Sequence, residues 1–260
     1  MIEAPPAGTQ AVGRALSVLR LLSDSRTELS ISEVAAKLGL SSGTANRIIR
    51  ALAAERLVAR NPQTESYFLG SGAVLLGQAA QRGFGLDKMM PILKRLNQET
   101  EESVNLSIRD SRESVVMLRV QSTLPLRFEQ HTGARFPLYS TASGKAILAF
   151  SPNAEAYLAT LPTRLDKVTP HSLGTRKDFE LAIQETRERG FSIDEQENVE
   201  GVRSVGAPIL DESGIAQAAI VIQVPAVRMP ASRVKDLGKR IIIAAQEASS
   251  FVPPDRPLAP

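Results

Sequence analysis

The sequence predicts two domains: an N-terminal winged helix-turn-helix, mainly α with a β-wing, joined by a linker helix to a larger C-terminal α+β domain. Three observations point there. A length of 260 residues exceeds one typical domain and falls short of three. Before residue 70, three short helical apolar patterns, punctuated by a glycine turn, run into a strand-turn-strand. Beyond residue 86, strand-like apolar segments alternate with helical ones.

The first helix is expected over residues 10–24, "QAVGRALSVLRLLSD", with Val12, Ala15, Leu16, Leu19 and Leu22 on one stripe. The second follows in "LSISEVAAKLG". Ser30 or Ser32 can cap it, Glu33 follows Ser30 at capping-box spacing, and Ile31, Val34, Ala35 and Leu38 form its apolar face. Gly39 stops it. Ser41 or Ser42 then caps a third helix that turns Ile48, Ile49, Leu52 and Ala53 inward. Two amphipathic helices joined by so short a turn form the helix-turn-helix pattern.

The stretch "LVARNPQTESYFLG" reads as strand, turn and strand, with Asn61-Pro62 marking the turn, which supplies the wing. Residues 71–84 read as a connecting helix. The expected domains are 10–70, a linker over 71–85, and 86–251, with Pro-rich tails over 1–9 and 252–260.

In the second domain "SVNLSI", "SVVMLRV", "LRFEQ", "SVGAPIL" and "AQAAIVIQV" have strand character. Helices are expected near 87–100, 142–150, 153–160, 176–189 and 231–248. Turn-forming "RDSRE" and "LDESGI" fall between strands, so the sheet is expected to be largely antiparallel.

The third helix gathers its polar residues near its start, where a packing helix would spread them along one face. The N-terminal end of a recognition helix reaches base edges in the major groove, and its free N–H groups and dipole favour phosphate. Ser41, Ser42 and Thr44 are short enough for close backbone approach. Asn46 can pair bidentately with adenine, and Arg47 and Arg50 with guanine or phosphate. Arg60 and the wing residues Gln63 to Tyr67, Thr64 among them, sit where a wing meets DNA, and Arg14 is a further phosphate candidate. The bland alternative is a solvated arginine face on a packing module. Spacing, turn, polar N-terminus and wing coincide here, which favours double-stranded DNA as partner.

On "VGRALSVLRLL", "LSISEVAAKLGLSSGTANRIIRAL", "YFLG", "RFPLYSTASGKAILAF" and "DEQENVEGVRSVGAPILDESGIAQAAIVI", nearly the whole chain resembles the IclR family of bacterial transcription regulators. The two C-terminal motifs, in this order and spacing, are the specific ones. The resemblance implies a GAF-like ligand-binding domain, a homodimer or dimer of dimers (tetramer), a pseudo-palindromic operator, and a small-metabolite effector controlling repression or activation of a nearby catabolic operon, with a repressor expected here. It also implies an effector pocket between the sheet and the "TASGKA" helix, involving Phe128, Phe136, Ala142, Ser143, Asp194, Val202, Ser204, Val221 and Gln223.

Members that bind small oxoacids tend to carry Ser-x-Ser where this chain has Val221 and Gln223. With Phe128 and Phe136 on the wall, an aromatic or larger effector, polar at one end, is expected, unless these phenylalanines are plain core.

Other classes are disfavoured. Hydrophobic residues make up 43% and charged residues 23%, an ordinary globular composition, and the net charge of +3 implies no general polyanion surface. Residues 1–70 carry eight Lys/Arg against six Asp/Glu. There is no cysteine, hence no disulfide, thiolate metal site or cysteine nucleophile. No apolar run is long enough to span a bilayer and "MIEAPPAGTQ" lacks a secretion-signal pattern, so a cytoplasmic protein without membrane association is expected.

"TASGKA" resembles the end of a phosphate-binding loop, but Tyr139 stands where the first glycine is required. Ser204 follows Gly201 by three residues rather than two, so it is no nucleophile elbow. Ala142 stands where a Ser-x-x-Lys motif ending at Lys145 needs its serine. His131 and His171 are 40 residues apart with no ligand cluster nearby. Asp194 and Glu195 are adjacent on a strand-like segment and should face opposite ways. No catalytic residue, metal or cofactor is expected. An enzyme with an appended DNA-binding domain and an architectural DNA-binding protein are the alternatives.

Overall fold

A computed structural model describes residues 8–25 and 27–254 of the chain. Of the expected tails over 1–9 and 252–260, residues 1–7 and 255–260 lie outside the described residues. The chain divides into two compact units, Met1–Ala80 and Gln81–Pro260.

The first unit contains α1 (Gln10–Asp24), α2 (Ile31–Leu38), α3 (Ser42–Ala54), and a hairpin of β1 (Val58–Arg60) and β2 (Tyr67–Leu69). Ser30 and Glu33 form the expected capping box of α2, and Gly39 ends it at φ 62. The buried core comprises Val18, Leu22, Leu29, Val34, Ala35, Ala45, Ile49, Leu52 and Val58.

Two inward faces differ from expectation. On α1, Val18 is buried whereas Val12 and Leu16 are 60% and 48% exposed. At 3.6 residues per turn they lie roughly 120° and 160° around the helix from Val18. On α3, Ala45 faces inward and Ala53, near the helix end, is exposed. A Cβ on Gly70 would stand 2.3 Å from the Arg56 carbonyl oxygen, so only glycine lets β2 close against the chain leaving α3. The connecting helix α4 (Ser71–Gly83) straddles the division between units and buries none of its residues.

The second unit contains α5 (Leu86–Thr100), β3 (Ser103–Asp110), β4 (Glu113–Val120), β5 (Arg135–Pro137), α6 (Ala142–Ala149), α7 (Ala154–Ala159), α8 (Arg176–Arg189), β6 (Ser192–Glu195), β7 (Val202–Leu210), β8 (Ala216–Pro225) and α9 (Ala231–Ser249). Its six-stranded antiparallel sheet has the order β5-β4-β3-β8-β7-β6. The expected strand "LRFEQ" is not one. β5 takes the place beside β4 instead, pairing Phe136 with Ser114. Ladder partners decide this, not local apolarity.

Central strand β8 is buried along its whole length, because both faces of the sheet are covered. Ala218, Ile220, Ile222 and Val224 pack in the core formed with α5 and α9. The alternate residues Ala219, Val221 and Gln223 face the other layer, where α6 lies. All eight residues of α6 are buried. Its start is pressed tightly into place. A Cβ on Gly144 would lie 2.0 Å from the Leu138 carbonyl oxygen, and one on Gly206 would lie 3.0 Å from that of Ala142. Among the described residues, no helix is long and apolar enough to cross a membrane.

Candidate functional site

In the first unit, the start of α3 presents the polar cluster. Ser41 is the N-cap: its Oγ accepts from the Thr44 N–H at 3.2 Å and lies 2.9 Å from Thr44 Oγ1. Both hydroxyls therefore organise the first turn, and Thr44 is half-buried. Ser42, Asn46, Arg47 and Arg50 are exposed, with the last three on adjoining helical positions of one face. Arg14 of α1 reaches the same region, since a groove between α1 and α3 is lined by Arg14, Thr44 and Arg47 together with Ala11, Ala15 and Ile48. This surface offers three guanidiniums, a carboxamide and free helix N–H groups.

The wing is held by its own polar contacts. Asn61 Nδ2 and Thr64 Oγ1 donate to the Glu28 carboxylate at 2.9 and 2.8 Å, and Asn61 Oδ1 accepts from the Gln63 N–H at 2.9 Å. Arg60 pairs with Glu65 at 2.7 Å across the turn, an exposed pair that adds little stability. Tyr67 stands apart from the exposed cluster: its backbone bridges Leu29 and its half-buried ring packs against the unit's core.

In the second unit, a cavity of about 20 Å³ lies between the sheet and the start of α6. From the expected set, Phe136, Ala142, Ser143, Asp194, Ser204, Val221 and Gln223 line it. Phe128 and Val202 do not. Phe128 is half-buried in the segment after β4, where its carbonyl accepts from Arg119 Nη2, and Val202 opens β7 two residues before Ser204. The wall is accordingly more polar than the two phenylalanines suggest.

Strand register explains the grouping. Asp194 stands opposite Ser204, Ser204 opposite Gln223, and Asn105 opposite Val221, all on the face toward α6. Asn105, Ser107, Ser114, Gln130, Thr141 and Asn198 complete the polar lining. They were missed because each is an isolated polar residue within an apolar strand or an irregular segment. Polar residues inside strands that must be buried on both faces were the available signal.

The lining is internally bonded. Ser107 Oγ donates to Asn105 Oδ1 at 3.1 Å, Asn105 Nδ2 to Gln223 Oε1 at 3.0 Å, and Gln223 Nε2 to Gln130 Oε1 at 3.3 Å. Ser114 and Ser143 join their hydroxyls at 2.6 Å. Asp194 is buried, and one of its oxygens accepts from the Glu197 N–H at 2.7 Å. Burial pushes its carboxyl up to about 7, against the pull of Lys145. Behind it Lys145 donates to Glu197 at 2.5 Å and to the Ile193 carbonyl at 2.8 Å. Glu195, the neighbour of Asp194, is exposed and pairs with Arg203 on the opposite face.

Comparison with known proteins adds the family. Residues 86–250 match the model of the bacterial transcriptional regulator IclR C-terminal domain, and residues 11–62 match the IclR helix-turn-helix domain. The chain is 29% identical over 248 residues to the HTH-type transcriptional regulator BhcR of Paracoccus denitrificans, covering 95% of this chain and 88% of that one. It is 28% identical over 250 residues to the transcriptional repressor IclR of Escherichia coli, covering 95% and 91%. An IclR homologue from Microbacterium hydrocarbonoxydans, solved in complex with 4-hydroxybenzoate, has the same fold at a TM-score of 0.80 and 19% identity, covering 93% of this chain and 98% of that one.

Proposed function

The chain belongs to the IclR family of bacterial transcriptional regulators, and from that premise we propose how its two units divide the work. It is a DNA-binding, effector-responsive regulator and not an enzyme. The winged helix unit places the start of α3 in the major groove. Asn46, Arg47 and Arg50 contact bases or phosphates, Arg14, Ser41, Ser42 and Thr44 support the approach to the backbone, and Arg60, Thr64 and Tyr67 belong to the wing. The exposed cluster of Asn46, Arg47 and Arg50 is the observation that carries this reading.

One winged helix reads only a few base pairs, so a homodimer on a pseudo-palindromic operator is the working form. Val74, Leu75 and Leu76 of α4 are 57%, 65% and 63% exposed, apolar surface that a second copy would cover. We take α4 as the linker between a DNA-binding domain over 10–70 and an effector domain over 86–251, acting in the cytoplasm where the chromosome is.

The polar cavity beneath α6 holds the effector, a small metabolite. A differential affinity of ~1–3 kcal/mol between dimer arrangements would change operator binding ~5–150-fold. The repressor role of the Escherichia coli relative supports repression, and we take a nearby catabolic operon as the target.

Binding of the purified full chain to DNA upstream of its own gene, across a salt series, tests the assignment. Specific binding that weakens steeply with salt and is lost in Asn46→Ala, Arg47→Ala and Arg50→Ala is expected. Affinity equal to that for random DNA, and unchanged in the variants, would sink it.

A further inference from the structure

We propose that the cavity beneath α6 takes up its ligand together with a proton: a compact carboxylate bearing a hydroxyl binds there, and Asp194 must be protonated for it to enter. This deepens the effector reading and rests on it.

Size comes first. A dry cavity that holds benzene has a volume of about 150 Å³, whereas this one measures about 20 Å³. A volume this small admits about one water, so any organic ligand must part the walls; a compact one parts them least and a ring most.

The lining then selects the ligand's groups. At the start of α6, Thr141 Oγ1 accepts from the Gly144 N–H and the Thr141 carbonyl from the Lys145 N–H. The N–H groups of Ala142 and Ser143 are too near the helix start for intrahelical acceptors, and both residues line the cavity. They form a seat for a carboxylate. Across from them Ser204, 2% exposed, has no side-chain hydrogen bond among the described residues and also faces the cavity. The linked carboxamides of Asn105, Gln223 and Gln130 offer donors and acceptors together, which is what a hydroxyl uses.

Asp194 shares this space. It is 4% exposed, and no cation pairs with it among the described residues. The charged groups acting on it are Lys145 from α6, which lowers its pKa, and Glu197 from the turn after β6, which is paired with Lys145 and opposes it in part; burial outweighs both. The other elements packed on β6 add none. Arg203 of β7 pairs with Glu195 on the opposite face, and Arg187 and Arg189 of α8 donate to the Ala149 and Phe191 carbonyls.

An ionised Asp194 beside a bound carboxylate would put two uncompensated negative charges in one enclosed site, so one must take a proton. The ligand's own carboxyl is the stronger acid in water. Burial has already pushed Asp194 up to about 7, making it the group that accepts. The balance is simple: Asp194 takes one proton from solvent, the ligand enters as the anion, and the new carboxyl O–H can donate to it.

The test uses the full chain and glycolate, lactate and glycerate as probes, with glycerol and benzoate as controls, titrated calorimetrically from about pH 6 to pH 8. Expected is a fall in affinity of at least one hydroxyacid by about tenfold over that range, with uptake of close to one proton per site near its upper end. The uptake is read from wild-type protein in two buffers of different ionisation enthalpy, so it depends on no variant. Asp194→Asn, which mimics the protonated carboxyl, should bind the same probe with pH-independent affinity. Hydroxyacid binding that is flat with pH and takes up no proton overturns the proposal. So does failure of all three hydroxyacids to bind at the acidic end. If benzoate or another molecule then binds without a proton and releases operator DNA, the effector reading stands and only this inference falls. If no small molecule changes operator affinity while DNA binding is intact, the effector reading itself fails.

Discussion

Lys145 of α6 donates to Glu197 of the turn after β6 at 2.5 Å, an ion pair whose two side chains are 3% and 6% exposed. It ties the helix carrying the proposed ligand seat to the turn whose backbone N–H holds Asp194. A pair so enclosed is costly to break from one side, because the remaining charge is left buried. Lys145→Met should therefore lower unfolding free energy by about 3–5 kcal/mol, measured by urea denaturation of the full chain. The double variant Lys145→Met with Glu197→Leu should recover most of that loss. A single variant as stable as wild type would show that the pair carries no such penalty.

Asp194 makes stability depend on pH in the direction opposite to a salt-bridged carboxylate. Its folded pKa is raised to about 7 from 3.8, so between these values the folded state holds a proton that the unfolded state has released. Stability from this group is full below the unfolded value and declines as pH rises toward the folded one. Asp194→Asn removes that decline. At about pH 8 the variant should be more stable than wild type by a few kcal/mol at most, on the order of the shift itself. The difference should shrink toward zero on acidification to about pH 4. Thermal unfolding along a pH series checks this, and parallel profiles for the two proteins would contradict it.

Ser41 illustrates a helix cap that also stands at the expected DNA surface. Ser41→Ala removes the acceptor for the Thr44 N–H and should cost about 1 kcal/mol of stability in the winged helix unit. Ser41→Asp keeps a capping acceptor but brings a negative charge to a surface meant for phosphate. The alanine variant should lower Tm with a moderate loss of DNA affinity. The aspartate variant should keep Tm and lose affinity more strongly. Equal DNA binding by aspartate and wild type would remove position 41 from the interface.

The exposed leucines of α4 give a test of assembly. Leu75→Glu with Leu76→Glu changes residues that touch no core of the described chain. Folding of each unit should be retained while self-association, followed by sedimentation over a concentration series, is weakened. Operator affinity should fall with it, since each monomer then binds its half-site alone. Unaltered association would move the dimer contact elsewhere, with Val12 and Leu16 of α1 the next surface to alter.

Much of this architecture is written in local chemistry. Ser30 with Glu33, Gly39, Ser41 and Asn61-Pro62 act on backbone groups within a few residues, so the helix ends and the wing could be placed from the chain alone. In the second unit Thr141 and Thr175 cap α6 and α8 in the same way, whereas α5, α7 and α9 begin without a side-chain cap and show only their helical pattern. Periodicity is a weaker guide to which face turns inward. Val12 and Leu16 match a helical stripe, yet the packing of α1 against α2, α3 and the hairpin selects Val18 and Leu22.

The centre of the proposed DNA surface was legible because Ser42, Thr44, Asn46, Arg47 and Arg50 follow one another on one helix. The cavity was not, because its wall is assembled from residues as far apart in sequence as Asn105 and Gln223, brought together by strand register. "LRFEQ" has the residues of a strand but gains no ladder, while Arg135–Pro137 gains one beside Glu113 to Val115. Local sequence decides conformation wherever a side chain acts on its own backbone neighbourhood. Register, burial and the charge state of Asp194 depend on which distant groups fold against one another, so they emerge only from long-range packing.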